Sequence, residues 1–244
     1  MRPRPRPSGH TVPWPRALAL AVAVALSLAG CAPDALATPT TSPTVTATAT
    51  PVVTLPADLC ANTGVDCPLD PGVYLAQQFE PPIGFTLDAG WTNEAYVERA
   101  IQLIRGSVDQ PTESVSLVSG QLDGPTGTAS AAGATAADFL AYLGTLSGVT
   151  VGAKAALTVG GLPATQVDVH VGAANATLFD QPIASTTEDP FQLRARETAR
   201  LVVVDVGTAR VVFVIEVFGS ATLAGFLQAE VTPLLASVSF PPGA

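Results

Sequence analysis

His170 is the residue of this 244-residue sequence with the most evident chemistry, because an imidazole gains or loses a proton near neutral pH. In the stretch "TQVDVHVG" it follows Asp168 by two positions, so in a β-strand the two side chains would share one face. A hydrolase would also need a nucleophile and an oxyanion hole, and the sequence contains no G-x-S-x-G turn. We therefore expect a solvated strand histidine, and a hydrolase that uses His170 is the less favoured alternative.

Two carboxylates interrupt strand-like apolar runs, Asp205 in "RLVVVDV" and Glu216 in "RVVFVIEV". A buried carboxylate must reach a strand end, pair with a cation or line a cavity. A two-residue turn between the runs would place Asp205 opposite Arg210, whereas a three-residue turn would place Arg200 opposite Glu216. We expect structural ion pairs at these positions, with a role in a pocket as the alternative.

A third acidic group, Asp180, Glu188 and Asp189, lies in the loop-like stretch "LFDQPIASTTEDP". Its spacing does not match an EF-hand calcium loop, so we expect exposed loop acids. The sequence therefore predicts neither a metal site nor a cofactor.

The N-terminal region has the layout of a signal peptide over residues 1–30. Four arginines precede an apolar run at residues 17–28 that only Ser27 interrupts. As a helix this run would extend about 18 Å, whereas a bilayer core is about 30 Å thick, so a stable membrane span is not expected.

Residues 28–31, "LAGC", begin with the last leucine of this run, end at Cys31 and resemble the lipobox of bacterial lipoproteins. The resemblance implies that the Cys31 thiol is acylated and that Cys31 becomes the new N-terminus. The alternative is an ordinary cleaved signal with a cysteine beside its site. Lipidation would place the protein at the cell membrane, on its extracytoplasmic face, with acyl chains as the anchor.

Residues 31–56 are rich in Thr, Pro and Ala and contain no apolar periodicity. We expect a disordered tether of about 25–30 Å as a flexible coil, or up to about 80 Å if extended. The alternative is that residues 51–56 pack as an N-terminal arm on the domain.

Residues 57–244 are sufficient for one globular domain with a substantial core. Without the four N-terminal arginines the chain carries seven basic and 20 acidic residues, a formal net charge of −13. That charge disfavours nucleic acid as a partner and leaves a protein or small molecule. The remaining cysteines, Cys60 and Cys67, form an even pair in an exported chain and predict a disulfide, because zinc would need two further ligands.

The stretch "ARLVVVDVGTARVVFVIEVFGS" predicts a β-hairpin around Gly207. Both alternating faces of residues 210–218 are apolar, which predicts a strand buried on both sides. A second hairpin is predicted across "GG" in "LTVGGLPATQVDVHVG", where Val167, Val169 and Val171 alternate with polar residues, as is typical of a strand near the sheet periphery.

Two helices are predicted. Thr135 and Asp138 form an approximate capping box before an apolar stripe in "DFLAYLGTL". A second helix runs from an N-cap at Ser220 towards Ser237, with a kink at Pro233, and a short strand is expected at residues 237–240. Residues 94–105 fit either a helix or a strand.

Together these segments resemble the PsbP-like α/β/α sandwich of bacterial lipoproteins over about residues 72–241. The resemblance depends on "YLAQQFEPPIGFTLDAGW", "ADFLAYL", "LTVGGLPATQVDV", "RLVVVDVGTARVVFVIEV" and the closing "SVSF". It implies an α+β fold, an antiparallel sheet with helices on both faces, and a non-enzymatic accessory or binding role. It also favours strand at residues 94–105, whereas the polar segment 172–197 departs from the pattern.

Three functions follow from these observations. The favoured one is a membrane-anchored binding or accessory module that is not an enzyme. The second is a carrier of an apolar ligand in a cavity between the sheet and the helices, and the third is an extracytoplasmic hydrolase that uses His170.

The lipobox hypothesis predicts that Cys31→Ser abolishes acylation, because the serine hydroxyl does not replace the thiol as the acceptor. Labelling of the expressing cells with a radioactive fatty acid measures this directly. Label in the Ser variant would show that Cys31 is not the attachment site.

Overall fold

The computed structural model describes residues 56–60, 67–107, 109–120, 135–179, 191–219 and 221–241, all within the unit Val52–Ala244. Cys31, Asp180, Glu188, Asp189, the signal peptide and nearly all of the tether therefore lie outside the described residues. The strands are β1 (Cys67–Leu69), β2 (Gly72–Ala76), β3 (Ile83–Leu87), β4 (Trp91–Val97), β5 (Ala100–Ser107), β6 (Gln110–Ser119), β7 (Val149–Val151), β8 (Ala155–Val159), β9 (Leu162–Val171), β10 (Ala176–Phe179), β11 (Phe191–Leu193), β12 (Thr198–Val206) and β13 (Ala209–Val217).

Nine of these strands form one antiparallel sheet in the order β1-β4-β5-β6-β13-β12-β9-β7, with β8 also paired to β9. β2 pairs with β3, and β10 pairs with β11, in two small sheets. The ambiguous segment 94–105 is strand, in β4 and β5, as the resemblance implied. The polar segment 172–197, which departs from the PsbP-like sequence pattern, contains β10 and β11.

The β12–β13 hairpin has the two-residue turn, one of the two turn lengths that the sequence left open. Val206 pairs with Ala209, and Gly207 adopts a φ of 60°, which a glycine reaches without the steric cost of a Cβ atom. β13 lies between β6 and β12, and its side chains at positions 211–215 are fully buried. The prediction of a strand buried on both faces is therefore confirmed.

The hairpin across Gly160 and Gly161 also forms, as β8 and β9. Val167, Val169 and Val171 are buried, and β9 lies one strand from the sheet edge, as its alternation predicted.

The first helix, α1 (Ala136–Leu143), begins at the predicted N-cap. Thr135 Oγ1 accepts a hydrogen bond from Asp138 N, and Asp138 Oδ2 accepts one from Thr135 N, which completes the capping box.

The C-terminal helix is divided into α2 (Leu223–Phe226), a π-helical segment (Leu227–Val231) and α3 (Thr232–Ser237). Pro233 has no N–H to donate, and Thr232 donates both its N–H and its hydroxyl to Leu227 O. The expected kink is therefore a widened turn. The N-cap is Thr222, because its Oγ1 accepts from Gly225 N, and Ser220 lies outside the described residues. The short strand expected at residues 237–240 is wrong, because Ser237 belongs to α3 and only Ser239 bridges to Gly84.

Alternate side chains of β13 enter two separate hydrophobic cores. One core contains Phe213 together with Phe226 and Leu234 from the C-terminal helices, and we call it the α3 core. The other contains Val214 together with Phe139 from α1, and we call it the α1 core. Side chains on one face of β13 therefore pack in the core of the C-terminal helices, and those on the other face pack in the core of α1.

Truncation of β13 on either face should destabilise the domain. Phe213→Ala removes a fully buried ring from the α3 core and should cost about 3–5 kcal/mol of unfolding free energy, and Val214→Ala should cost somewhat less. Denaturant unfolding of both variants, with unchanged m-values as the control, measures the two costs. A variant that unfolds like the parent would show that its face of the sheet is not packed.

Candidate functional site

A pocket of about 850 Å³ lies at one end of the main sheet, where several strands begin or end, and we call it the sheet-end pocket. Its volume is in the usual range for small-molecule sites. It is lined by the β2–β3 connection, the β4–β5 turn, the end of β6, both predicted hairpins and the C-terminal segment, through Gln77, Glu80, Pro81, Pro82, Arg99, Ser119, Gly120, Leu162, Val206, Gly207, Thr208, Ala209, Phe240 and Pro241.

One wall of the pocket, the β2–β3 connection, is fixed by hydrogen bonds to the sheet. Glu80 N donates to Glu98 O at 2.7 Å, and Ser119 Oγ donates to Glu80 O. The peptide bond between Glu80 and Pro81 is cis. Tyr96 on β4 also binds this connection, because its hydroxyl accepts a hydrogen bond from Gln78 N at 2.7 Å.

The position of Phe240 in the pocket lining depends on a glycine. Phe240 packs against Gly160, where a Cβ atom would lie 2.5 Å from Phe240 Cδ2. The "GG" of the β8–β9 turn therefore allows both the hairpin and the approach of an aromatic ring to the pocket.

The lining combines apolar surface with one cation. Leu162, Val206 and Phe240 supply the apolar part, Arg99 supplies a positive charge and Glu80 a negative one. The Arg99 side chain is half exposed, and its ion pair with the more exposed Glu98 is long, at 3.8 Å. Such a surface pair contributes little, so the guanidinium is accessible to an anionic ligand group.

Arg210 supports the pocket from inside the domain. It is directly opposite Asp205, as the two-residue turn predicted, and its guanidinium lies 4.7 Å from the Phe139 ring centre. Its Nη2 donates to Gly120 O at 3.2 Å and its Nη1 to Thr135 O at 3.4 Å. Burial lowers the pKa of Arg210, and the Asp205 carboxylate opposes that shift. Arg210 thus joins the pocket lining to α1.

The Asp205 carboxylate has a second partner in α1. Its Oδ1 accepts a hydrogen bond from Ala136 N at 2.7 Å, at the first turn of the helix. A carboxylate there satisfies a free N–H and is stabilised by the helix dipole.

Arg200 is opposite Ile215 and Asp168, so the alternative that placed it opposite Glu216 is wrong. The two-residue turn excludes that register. Arg200 instead binds Asp168 with two hydrogen bonds, at 2.7 and 2.9 Å, which raise its pKa. It also lines a smaller pocket of about 280 Å³ with residues of β8, β9 and the C-terminal helices.

Glu216 is 3% exposed and lies opposite Ser114, whose hydroxyl donates to Glu216 Oε2 at 3.1 Å. Arg200, the arginine that could have paired with Glu216, is held by Asp168, and the nearby charge of Glu197 acts on the Glu216 carboxyl. Burial, followed by the charge of Glu197, raises the pKa of Glu216 well above its ordinary value. The ion pair expected for Glu216 does not form with Arg200, and its carboxyl group instead accepts the hydrogen bond from Ser114.

His170 is exposed, and its Nδ1 lies 3.0 Å from Thr198 Oγ1 on the neighbouring strand. A hydroxyl is therefore within reach of the imidazole, but the nearby Asp168 carboxylate is bound by Arg200. A triad would need that carboxylate to orient the imidazole.

Cys60 and Cys67 form the predicted disulfide, with their Cα atoms 6.3 Å apart. Asn93 Nδ2 donates to Cys60 O at 3.2 Å and links the bridge to β4. The described residues contain no cluster of three or more histidine, cysteine or acidic side chains suited to a metal ion. None of the helices within that part of the chain is long and apolar enough to cross a membrane.

Reasoning from the sequence missed the sheet-end pocket, because its lining comes from six separated segments. Arg99 is one charge among several, and Phe240 lies in a segment that was expected to be strand. The available signals were the paired prolines at 81 and 82 and the paired glycines at 160 and 161, which mark chain turns at one end of the sheet.

No protein-family model and no curated protein matches the sequence. Among solved structures, the chain is similar to the solution structure of cyanobacterial PsbP (CyanoP) from Synechocystis sp. PCC 6803, with a TM-score of 0.39 and 9% identity over 75% of this chain and 97% of that one. It is also similar to a crystal structure from Bacteroides thetaiotaomicron VPI-5482, with a TM-score of 0.37 and 9% identity. That match covers 65% of this chain and 45% of the other protein's chain. At this degree of similarity, neither structure assigns a family or an activity to the chain.

Tyr96 provides a test of how the pocket wall is held. Burial, with a further contribution from Asp58, raises the pKa of Tyr96 to about 12. Alkaline titration followed by tyrosinate absorbance should show a step near that pH, which Tyr96→Phe removes and the control Tyr74→Phe retains. Loss of the step only in the Tyr74 variant would contradict the assignment, and circular dichroism at each pH verifies that the fold persists.

Proposed function

We propose that this chain is a lipoprotein of the cell membrane, anchored through Cys31, whose extracytoplasmic domain is a non-enzymatic binding or accessory module. We further propose that the sheet-end pocket is its binding site. The observation that carries this is a pocket of about 850 Å³ in which an accessible arginine lies beside apolar side chains.

The construction of the pocket supports binding without large rearrangement. Its walls are strand ends and tight turns, and the β2–β3 connection is hydrogen-bonded to β4–β6 through Glu80 and Tyr96. A preformed site avoids much of the ordering cost that binding otherwise carries.

The lining indicates the chemistry of the ligand. Arg99 suits a carboxylate or another small anionic group, and Leu162 and Phe240 suit an apolar part of the same molecule. The acidic character of the whole chain disfavours a large polyanion such as nucleic acid. A small ligand, or the end of a protein segment, with one anionic group beside apolar atoms fits these conditions best.

The anchor and tether support the proposed location. Acyl chains on Cys31 would hold the protein at the membrane, and residues 31–56 would span about 25–30 Å or more. The pocket would then face components of the cell envelope that lie above the lipid headgroups.

For the architecture, we propose the α/β/α sandwich that the PsbP-like sequence pattern implies. Adjacent β13 side chains point to opposite faces, and they enter the α1 core and the α3 core in turn. This alternation supports one helical layer on each face of the sheet.

A second candidate, a carrier of an apolar ligand, is favoured by the pocket of about 280 Å³ between the sheet and the C-terminal helices. Leu157, Leu227 and Leu235 supply most of its apolar lining, and Arg200 lies at its border. Its volume suits only a short apolar group.

Filling the sheet-end pocket tests the proposal. Thr208 is exposed in the β12–β13 turn and lines the pocket, so Thr208→Trp should obstruct it without removing a core contact. Captured from its own membrane after crosslinking, the lipidated Thr208→Trp protein should retain less than about a tenth of the bound component seen with the parent. Such a loss corresponds to about 1.4 kcal/mol or more.

The matched control is Thr150→Trp, since Thr150 is exposed on β7 and does not line that pocket. It should capture the same component at the level of the parent. Equal capture by both variants would overturn the proposed site. Loss of capture in Leu227→Trp alone would favour the carrier function instead.

A further inference from the structure

Two carboxyl groups, those of Glu197 and Glu216, meet at a buried position beside β13. Glu216 is on β13 and is 3% exposed, and Glu197 is the residue immediately before β12. The register that pairs Arg200 with Ile215 makes Glu197 and Glu216 diagonal neighbours on one face of the sheet, where long side chains can reach each other. Neither participates in the sheet-end pocket.

The hydrogen bonds of the two carboxyl groups leave one buried oxygen, Glu197 Oε1, without a partner. Glu216 Oε2 accepts from Ser114 Oγ at 3.1 Å, and Glu197 Oε2 accepts from Arg194 N at 2.6 Å. Glu197 Oε1 is buried, and no donor reaches it if both carboxyl groups are ionised. Two carboxylates have no proton to donate, so a bond between them exists only when one is protonated.

We propose that Glu197 and Glu216 share one proton and that this proton latches the turn at residues 194–197 onto β13, so that the turn is released as the pH rises. The proposal does not depend on the function of the sheet-end pocket. It assigns a pH-sensitive element to a different part of the domain.

The turn has features of a segment that needs such a latch. Arg196 has a φ of 65°, in the left-handed region that a non-glycine residue adopts at some cost. The turn is tied to the end of β9 by Arg196 N donating to Gly172 O at 2.7 Å and by Val171 N donating to Glu197 O at 2.8 Å. Glu197 therefore holds the turn through both its backbone and its side chain.

Solvent can reach the pair, because Glu197 lines an open pocket of about 430 Å³ next to Arg194 and Phe218. The charged groups that face Glu216 among the described residues are Glu197 and Arg194, both from the β11–β12 connection, and β6 contributes only the neutral Ser114. The Arg194 guanidinium also lies 4.4 Å from the Phe218 ring centre. One cation against two carboxyl groups leaves the fully ionised pair with an excess negative charge in a buried place.

The direction of the pH effect follows from the raised pKa of Glu216. In the unfolded chain a glutamate ionises near about pH 4.3. Above that pH the unfolded state binds fewer protons than the folded one, so the folding equilibrium falls by about tenfold per pH unit until the raised native pKa is reached. The latch is therefore complete in acid and is lost as the pH rises.

Glu216→Gln tests this assignment, because the amide has the shape of the protonated acid, can donate to Glu197 and does not titrate. Denaturant unfolding of the full domain is measured from pH 4.5 to pH 9, with Glu98→Gln as the matched control, since Glu98 is exposed. We expect the folding constant of the parent to fall relative to that of Glu216→Gln by about tenfold per pH unit above about pH 4.3, and that of Glu98→Gln to follow the parent. A parent-to-Gln ratio that stays constant with pH overturns the proposal.

Amide hydrogen exchange at Arg194 and Arg196, normalised for intrinsic exchange rates, tests the release of the turn. Protection at both amides should fall with rising pH in the parent and should persist in Glu216→Gln, while protection in the centre of β12 is unchanged in both. Protection that does not change with pH in the parent overturns the latch. The latch is also overturned if added calcium changes the stability of the parent at constant pH, because a cation would then bind where the proton is proposed to lie.

Discussion

The register of the β12–β13 hairpin is the constraint on which the rest of the domain depends. A two-residue turn at Gly207 places Asp205 opposite Arg210 and Arg200 opposite Ile215. One more residue in the turn would move every later side chain of β13 to the other face, so that Phe213 would leave the α3 core and Val214 would leave the α1 core. Because β13 pairs with β6 as well as β12, the same register is passed to both halves of the nine-stranded sheet.

Local patterns in the sequence were sufficient for the two hairpins, the capping box of α1 and the disulfide, because each depends on residues that are close in the chain. Thr135 and Asp138, for example, satisfy each other without any tertiary contact. The sequence was insufficient where a distant partner decides the outcome. β6 contains Pro111 and alternating serines and was not recognised, since its neighbours β5 and β13 supply its order. The C-terminal segment at Ser239 forms a single bridge to Gly84 rather than a strand.

The same distinction explains the candidate sites. The four charged residues singled out in the sequence do interact with their surroundings, but only the pairing of Asp205 with Arg210 could be derived from the turn. Arg200 binds Asp168 on β9, and Glu216 lies near Glu197, the residue before β12. Both arrangements depend on the order of strands in the sheet. The sheet-end pocket is even harder to predict from local patterns, because its lining residues are distant in the sequence and meet only at one end of the sheet.

Arg210 also joins the two residues that flank segment 121–134. Its guanidinium holds the carbonyl groups of Gly120 and Thr135, the residues on either side of segment 121–134, and both anchors belong to the packed sheet and helix. The entry and exit points of that segment are thus set by a buried side chain and not by the segment itself. An insertion or deletion between these two carbonyl groups would therefore leave the anchoring hydrogen bonds of Arg210 in place.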